Sequence, residues 1–127
     1  MSEFAPEAPQ TQDQSQADLG SESMGAPMAR YTIHIPVYSS DKRELAHVLK
    51  AVREALTKAG FNGRTVIRKA QGDWQNYDTE EMDLVMVDAP DDPSHLQTLM
   101  TIAQGVKALA NHPSVYLTKQ PIETYLV

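Results

Sequence analysis

The chain has 127 residues, 41% of them hydrophobic and 22% charged, with 11 basic groups against 17 acidic ones and a net charge of −6. That length holds one domain, and the composition is that of an ordinary globular protein. The absence of cysteine removes disulfides, thiolate nucleophiles and cysteine-based zinc sites together. No apolar run approaches the roughly 18 residues of a membrane span. No basic segment followed by an apolar one opens the sequence, so no secretory signal is read there and the cytoplasm is the default compartment.

The charge is unevenly spread. Glu3, Glu7, Asp13, Asp18 and Glu22 precede the first basic residue, Arg30, which leaves 11 basic and 12 acidic groups in the rest. Residues 1–29 are expected to be a disordered acidic tail, because a run of Pro, Gln, Ser, Ala, Asp and Glu buries too little apolar surface to offset the entropy of ordering. A sharper alternative makes the tail a partner-binding or polyanion-mimicking segment. Residues 30–127 are expected to form one α+β domain. Its nearly neutral balance argues against nucleic-acid binding, which needs clustered positive charge.

Along the domain, Tyr31–Tyr38 alternates, with Ile33, Ile35 and Val37 on one side and Thr32, His34, Pro36 and Tyr38 on the other. This predicts a half-buried strand, with Pro36 as its weak point. Asp41 and Glu44 have the spacing of a capping box. They precede an apolar stripe of Leu45, Val48, Leu49, Val52, Ala55, Leu56 and Ala59 that predicts a helix, ended by Gly60. Arg64–Ala70 predicts a second strand, and Gln71–Asp78 a polar connection. The nearly continuous apolar run Met82–Val87 predicts a strand buried on both faces. Asp92 and Pro93 then start a second helix as N-cap and first helical residue. Its inner stripe is Leu96, Leu99, Met100, Ala103, Val106, Leu109 and Ala110, and Asn111-His112-Pro113 stops it. Ser114–Thr118 predicts a last regular strand, and Ile122–Val127, beyond Pro121, an extra edge strand.

The order strand, helix, strand, strand, helix, strand predicts a ferredoxin-like β-α-β-β-α-β sandwich, an antiparallel sheet with both helices on one face and the first and third strands central. The other face is then open. It is expected to carry Thr32, His34 and Tyr38 with Val85 and Val87 if Leu84 and Met86 point to the helices, and Tyr116 and Thr118 if Val115 and Leu117 point inward. A mixed surface of that kind marks an interface or a ligand site.

Ligand or interface candidates are therefore His34, Tyr38, Arg68, Trp74, Tyr116 and Thr118. His34 is the one histidine of His34, His47, His95 and His112 placed to act as a base or ligand. Trp74, the only tryptophan, caps the core or lines a pocket mouth, and Arg68 with Lys69 is placed to hold an anion. No spacing of His and carboxylates matches a metal motif, neither acidic cluster fits a calcium loop, and no Gly-rich phosphate loop or nucleophile elbow is present. No metal, no cofactor and no catalytic residue is assigned. The central strands also lack the stacked aromatics of an RNA-recognition sheet.

Gly63-Arg-Thr-Val66, Gln71-Gly-Asp-Trp74 and Val115-Tyr-Leu117 resemble an uncharacterised family of small bacterial and phage-encoded domains, over roughly Tyr31 to Val127. The resemblance implies the same fold class and supplies no activity. Two functional readings follow from the residues. One is a non-enzymatic protein-interaction or small-ligand-binding module acting as a homodimer through the open sheet face or the C-terminal strand. The other is a small cofactor-independent enzyme of the dimeric α/β-barrel type, with His34, Trp74 and Tyr116 around a pocket on the open sheet face.

Overall fold

A computed structural model describes residues 27–39, 41–73 and 79–127. The acidic segment before Pro27 and Trp74 lie outside the described residues. The chain order is β1 (Met28–Pro36), α1 (Ala46–Lys58), β2 (Thr65–Asp73), β3 (Thr79–Pro90), α2 (Pro93–Ala110) and β4 (Leu117–Ile122). The four strands form one antiparallel sheet in the order β2-β3-β1-β4. The fold is α+β and ferredoxin-like, with β1 and β3 central as the element order predicts. Among the described residues no helix is long and apolar enough to cross a membrane.

Alternation along the strands builds the core. On the helix-facing side, Ala29, Tyr31, Ile33 and Ile35 of β1 are 0–1% exposed, and Val85, Val87 and Ala89 of β3 lie beside them. Val48, Leu49, Val52 and Leu56 of α1 cover them, together with Leu99, Ala103, Val106 and Ala110 of α2. Each such Val, Leu or Ile side chain contributes about 1.5–3 kcal/mol of transfer free energy on leaving water. Pro36 does not disturb the ladder because it is the last residue of β1, opposite Met82. Met100 and Leu109, expected in the inner stripe of α2, are 43% and 50% exposed. The residues of α2 that the core does bury are Leu99, Ala103, Val106 and Ala110.

Several element ends differ from the sequence expectation, each for a local reason. Asp41 does not cap α1. The chain first makes a tight reversal, in which Tyr38 bridges Glu44 and the Leu45 N–H donates to the Val37 carbonyl at 2.8 Å. Lys42 takes a left-handed φ of 71° in that turn. The Ser39 hydroxyl donates to the Asp41 carboxylate and accepts from the Arg43 N–H. Leu45 is left as the N-cap, with no side-chain cap. The Asp and Ser hydrogen bonds that favour caps favour turns equally, and here the turn wins. At α2 the expectation holds. Asp92 accepts from the Ser94 N–H at 2.8 Å, Pro93 follows it, and Asn111 closes the helix at φ 54°. That amide holds the Asp92 carboxyl below its usual range.

Strand β2 extends to Asp73, into the segment expected to be a loop, and β4 begins at Leu117 and runs through Pro121. Proline is tolerated there because β4 is an edge strand. Ile122 closes β4 rather than opening a separate strand.

A β-bulge interrupts β2 between Ile67 and Ala70, with Lys69 at φ 56°. The carboxylate of Asp83, 4% exposed, accepts from the Arg68 Nε at 3.0 Å and the Lys69 N–H at 2.9 Å. A buried acceptor serving two donors is costly to lose, since hydrogen bonds to a charged group are worth about 1.5–3 kcal/mol. We predict that Asp83→Ala lowers stability in urea unfolding by about 2 kcal/mol; an unchanged midpoint would contradict the role given to this carboxylate. In the same assay Asp92→Ala lowers the midpoint more than Asp41→Ala, because only the former removes a helix cap.

Candidate open-face site

The strand register lays out the face that the helices leave uncovered, because residues directly opposite each other on neighbouring strands share a face. Its rows, read from β4 towards β2, are Gln120–Arg30–Asp88, then Thr118–Thr32–Met86–Thr65, then His34–Leu84–Ile67, then Pro36–Met82–Ala70. Tyr116 extends the third row. Its carbonyl accepts from the His34 N–H at 2.9 Å, and its ring meets the imidazole edge-on at 6.1 Å between centroids.

The assignment of β3 is therefore the reverse of the one expected. Leu84 and Met86 belong to the open face, while Val85 and Val87 are 0% and 1% exposed in the core. A continuous apolar run carries no alternation to read, so its parity was not legible in the sequence. The outcome is a more apolar face than the valines would have made. Leu84 and Met86, both partly exposed, form a stripe of aliphatic and thioether groups along its middle, Ile67, 45% exposed, flanks it, and Met82 at its end is only 9% exposed. Methionine suits adaptable contact surfaces because its side chain is unbranched and polarizable.

One end of the face is closed by an ion pair. Arg30 meets Asp88 through two hydrogen bonds, Nε to Oδ1 at 2.7 Å and a terminal nitrogen to Oδ2 at 2.9 Å. The middle is different. His34 is half-buried, and its Nδ1 is shut off from solvent with no hydrogen-bond partner. Burial pushes its pKa below the ordinary 6.5, because desolvation disfavours the imidazolium.

Four of the sequence-derived candidates have described positions near the β1–β4 half. His34, Tyr116 and Thr118 share the open face, and Tyr38 follows β1, 39% exposed. The Tyr38 carbonyl accepts from His112 Nε2 at 3.0 Å, which ties the end of α2 to this corner. Arg68 stands apart, on the bulge of β2, where its guanidinium is engaged by Asp83 rather than free for an anion. Among the described residues no group of three or more His, Asp or Glu is arranged to hold a metal. Sequence reasoning did not place Met82, Leu84, Met86 and Ile67 on the open face, because the parity of the third strand was not legible.

No family model matches this sequence. No curated protein matches it either. Solved structures do. The chain is similar to CutA1 from Oryza sativa, with 12% identity and a TM-score of 0.51 over 78% of this chain and 83% of that one. It is also similar to a phage SAM lyase. The complex of that lyase with S-methyl-5′-thioadenosine shares 10% identity at a TM-score of 0.51, covering 85% of this chain and 96% of the other. Its apo state shares 11% at 0.50, covering 91% and 94%. Likeness at these identities concerns the fold alone.

The His34 environment predicts a pH dependence. Its folded-state pKa lies below the unfolded value near 6.5, so the stability it contributes is fully present above pH 6.5 and is lost as pH falls through the folded-state pKa. Unfolding of the wild type and His34→Gln, measured from pH 7.5 to 5, should show a shallower loss in the variant. Identical profiles would mean that His34 titrates alike in both states.

Proposed function

We propose that the domain is a non-enzymatic binding module that works as a homodimer, with the open sheet face as its contact surface. The observation that carries this reading is the stripe of Leu84, Met86 and Ile67 with the desolvated His34 beside it. An apolar field on a sheet that carries no second layer among the described residues is the kind of patch that marks an interaction site. The edges favour the face over strand-to-strand pairing. Strand β4 carries Lys119 and Pro121, and β2 carries a bulge with Arg68 and Lys69, all features that block edge pairing.

A second reading rests on the histidine. An imidazole with a depressed pKa and an unpartnered nitrogen beside a tyrosine ring is also what a small cofactor-independent enzyme would present in a pocket on this face. S-methyl-5′-thioadenosine, the ligand of the phage lyase complex, is the first probe for that reading. Binding by calorimetry to the wild type, lost in His34→Ala, would support it. A partner-binding role for the acidic segment 1–29 stands as a separate proposal, supported by its charge alone.

The dimer reading is tested by light scattering coupled to size exclusion over a range of concentrations. The wild type is expected to run as a dimer. Ile67→Lys and Met86→Lys should shift it towards monomer while leaving the circular dichroism unchanged. A wild-type monomer at every concentration, or a dimer indifferent to both substitutions, would overturn the reading.

A further inference from the structure

Histidine changes charge near neutral pH, and the open face carries one in its middle rows. His34 lies opposite Leu84 of β3, and on its other side the Tyr116 ring meets it edge-on at 6.1 Å between centroids. A charged imidazole donates from both ring nitrogens and needs an acceptor for each. Here Nδ1 is already shut off from solvent with no partner. The ring is half-buried, so water still reaches part of it.

Among the described residues, no carboxylate stands where it would support the imidazolium. On the open face of β1 and β3, Arg30 and Asp88 lie two rows to one side and are paired with each other. Glu80 lies two rows to the other side, two residues beyond Met82. Two rows are four residues along a strand, about 13 Å at roughly 3.3 Å per residue. The turn carrying Asp41 and Glu44 begins beyond Tyr38, and His112 of the α2 end meets the Tyr38 carbonyl there. From β4 the face receives Thr118 and Gln120, while Lys119 lies on the helix side with Asp91. From β2, two strands away, come the cations Arg68 and Lys69, and Asp83 holds Arg68 from the helix side. Tyr116, which touches the ring, brings a phenol and no negative charge.

We propose that self-association through the open face is gated by pH: copies join while His34 is neutral and part when its imidazole takes a proton. This inference rests on the self-association reading and deepens it by naming its regulation. A second copy brings the same surface to the contact, and the middle rows of that surface hold Thr, Leu, Met and Ile without a carboxylate. Covering His34 with such groups removes its remaining water and supplies no counter-charge, which disfavours the cation further. Burial within one copy already acts in that direction, holding the pKa below the ordinary 6.5.

The sign follows from linkage. The joined copies bind fewer protons than the separate ones, so association is complete above the single-copy pKa of His34. It weakens as pH falls through that value, in a window below pH 6.5. Each imidazole contributes at most about a tenfold weakening per pH unit.

Sedimentation equilibrium of the full chain tests this, with wild type and His34→Gln compared from pH 7.5 to 5 where circular dichroism shows both folded. The wild-type dissociation constant should rise at least about tenfold over that range, from two imidazoles per dimer, and that of His34→Gln much less. Equal rises in the two proteins, or no rise in a wild type that is dimeric at pH 7.5, would overturn the gate and leave the self-association reading standing. A wild-type monomer at every pH and concentration would overturn both. Should His34→Gln fail to associate at all, the His34 ring protons of the wild type decide by NMR titration. Their pKa should fall as protein concentration rises; a pKa independent of concentration in an associating wild type would overturn the gate.

Discussion

The organisation of this domain depends on strand parity, and one buried carboxylate holds that parity in β2. In a sheet with helices on one side only, a slip of one residue moves every side chain of a strand to the opposite face. Asp83, on the helix side opposite Ile35, binds both Arg68 and Lys69 at the bulge. Before the bulge, Val66 joins the helix side and Ile67 the open face; after it, Ala70 lies on the open face opposite Met82. Without the extra residue, Lys69 would take the place that Ala70 has. An ammonium would then stand beside the methionine stripe. The bulge thus extends the apolar field of the open face to its fourth row.

The two surfaces of the domain follow from that parity. The inner side is a closed core of mostly branched aliphatic residues, in which the Tyr31 side chain is also fully buried. The outer side is amphipathic by halves. Threonines, His34 and Tyr116 occupy the β1–β4 half, and Met82, Leu84, Met86 and Ile67 the β3–β2 half.

Much of this was legible in the sequence, and the misses share a cause. Helix α2 was announced at both ends, because Asp92-Pro93 and Asn111 act through local backbone chemistry that needs no tertiary context. The alternation of β1 was equally plain. The capping box at Asp41 failed because Ser39 and Asp41 serve a turn as readily as a cap, and only the bridge from Tyr38 to Glu44 decides between them. The parity of β3 failed because Leu84–Val87 is apolar on both sides, and Asp83, the one polar residue of the run, is buried on the helix side where a carboxylate is not expected. That one reversal replaced Val85 and Val87, expected beside Thr32, His34 and Tyr38 on the open face, with Leu84 and Met86.

If a second copy covers this field, as we propose, the Met86 methyl group is its natural reporter, because Met86 is half-exposed on the open face while Met82 is already buried in one copy. The decisive measurement is relaxation of the Met86 methyl resonance by a soluble paramagnetic agent across a dilution series. Coverage by a second copy predicts that Met86 is shielded at high concentration and becomes accessible on dilution. Equal accessibility at every concentration, with the protein shown to associate, would contradict it and place the contact elsewhere on the molecule.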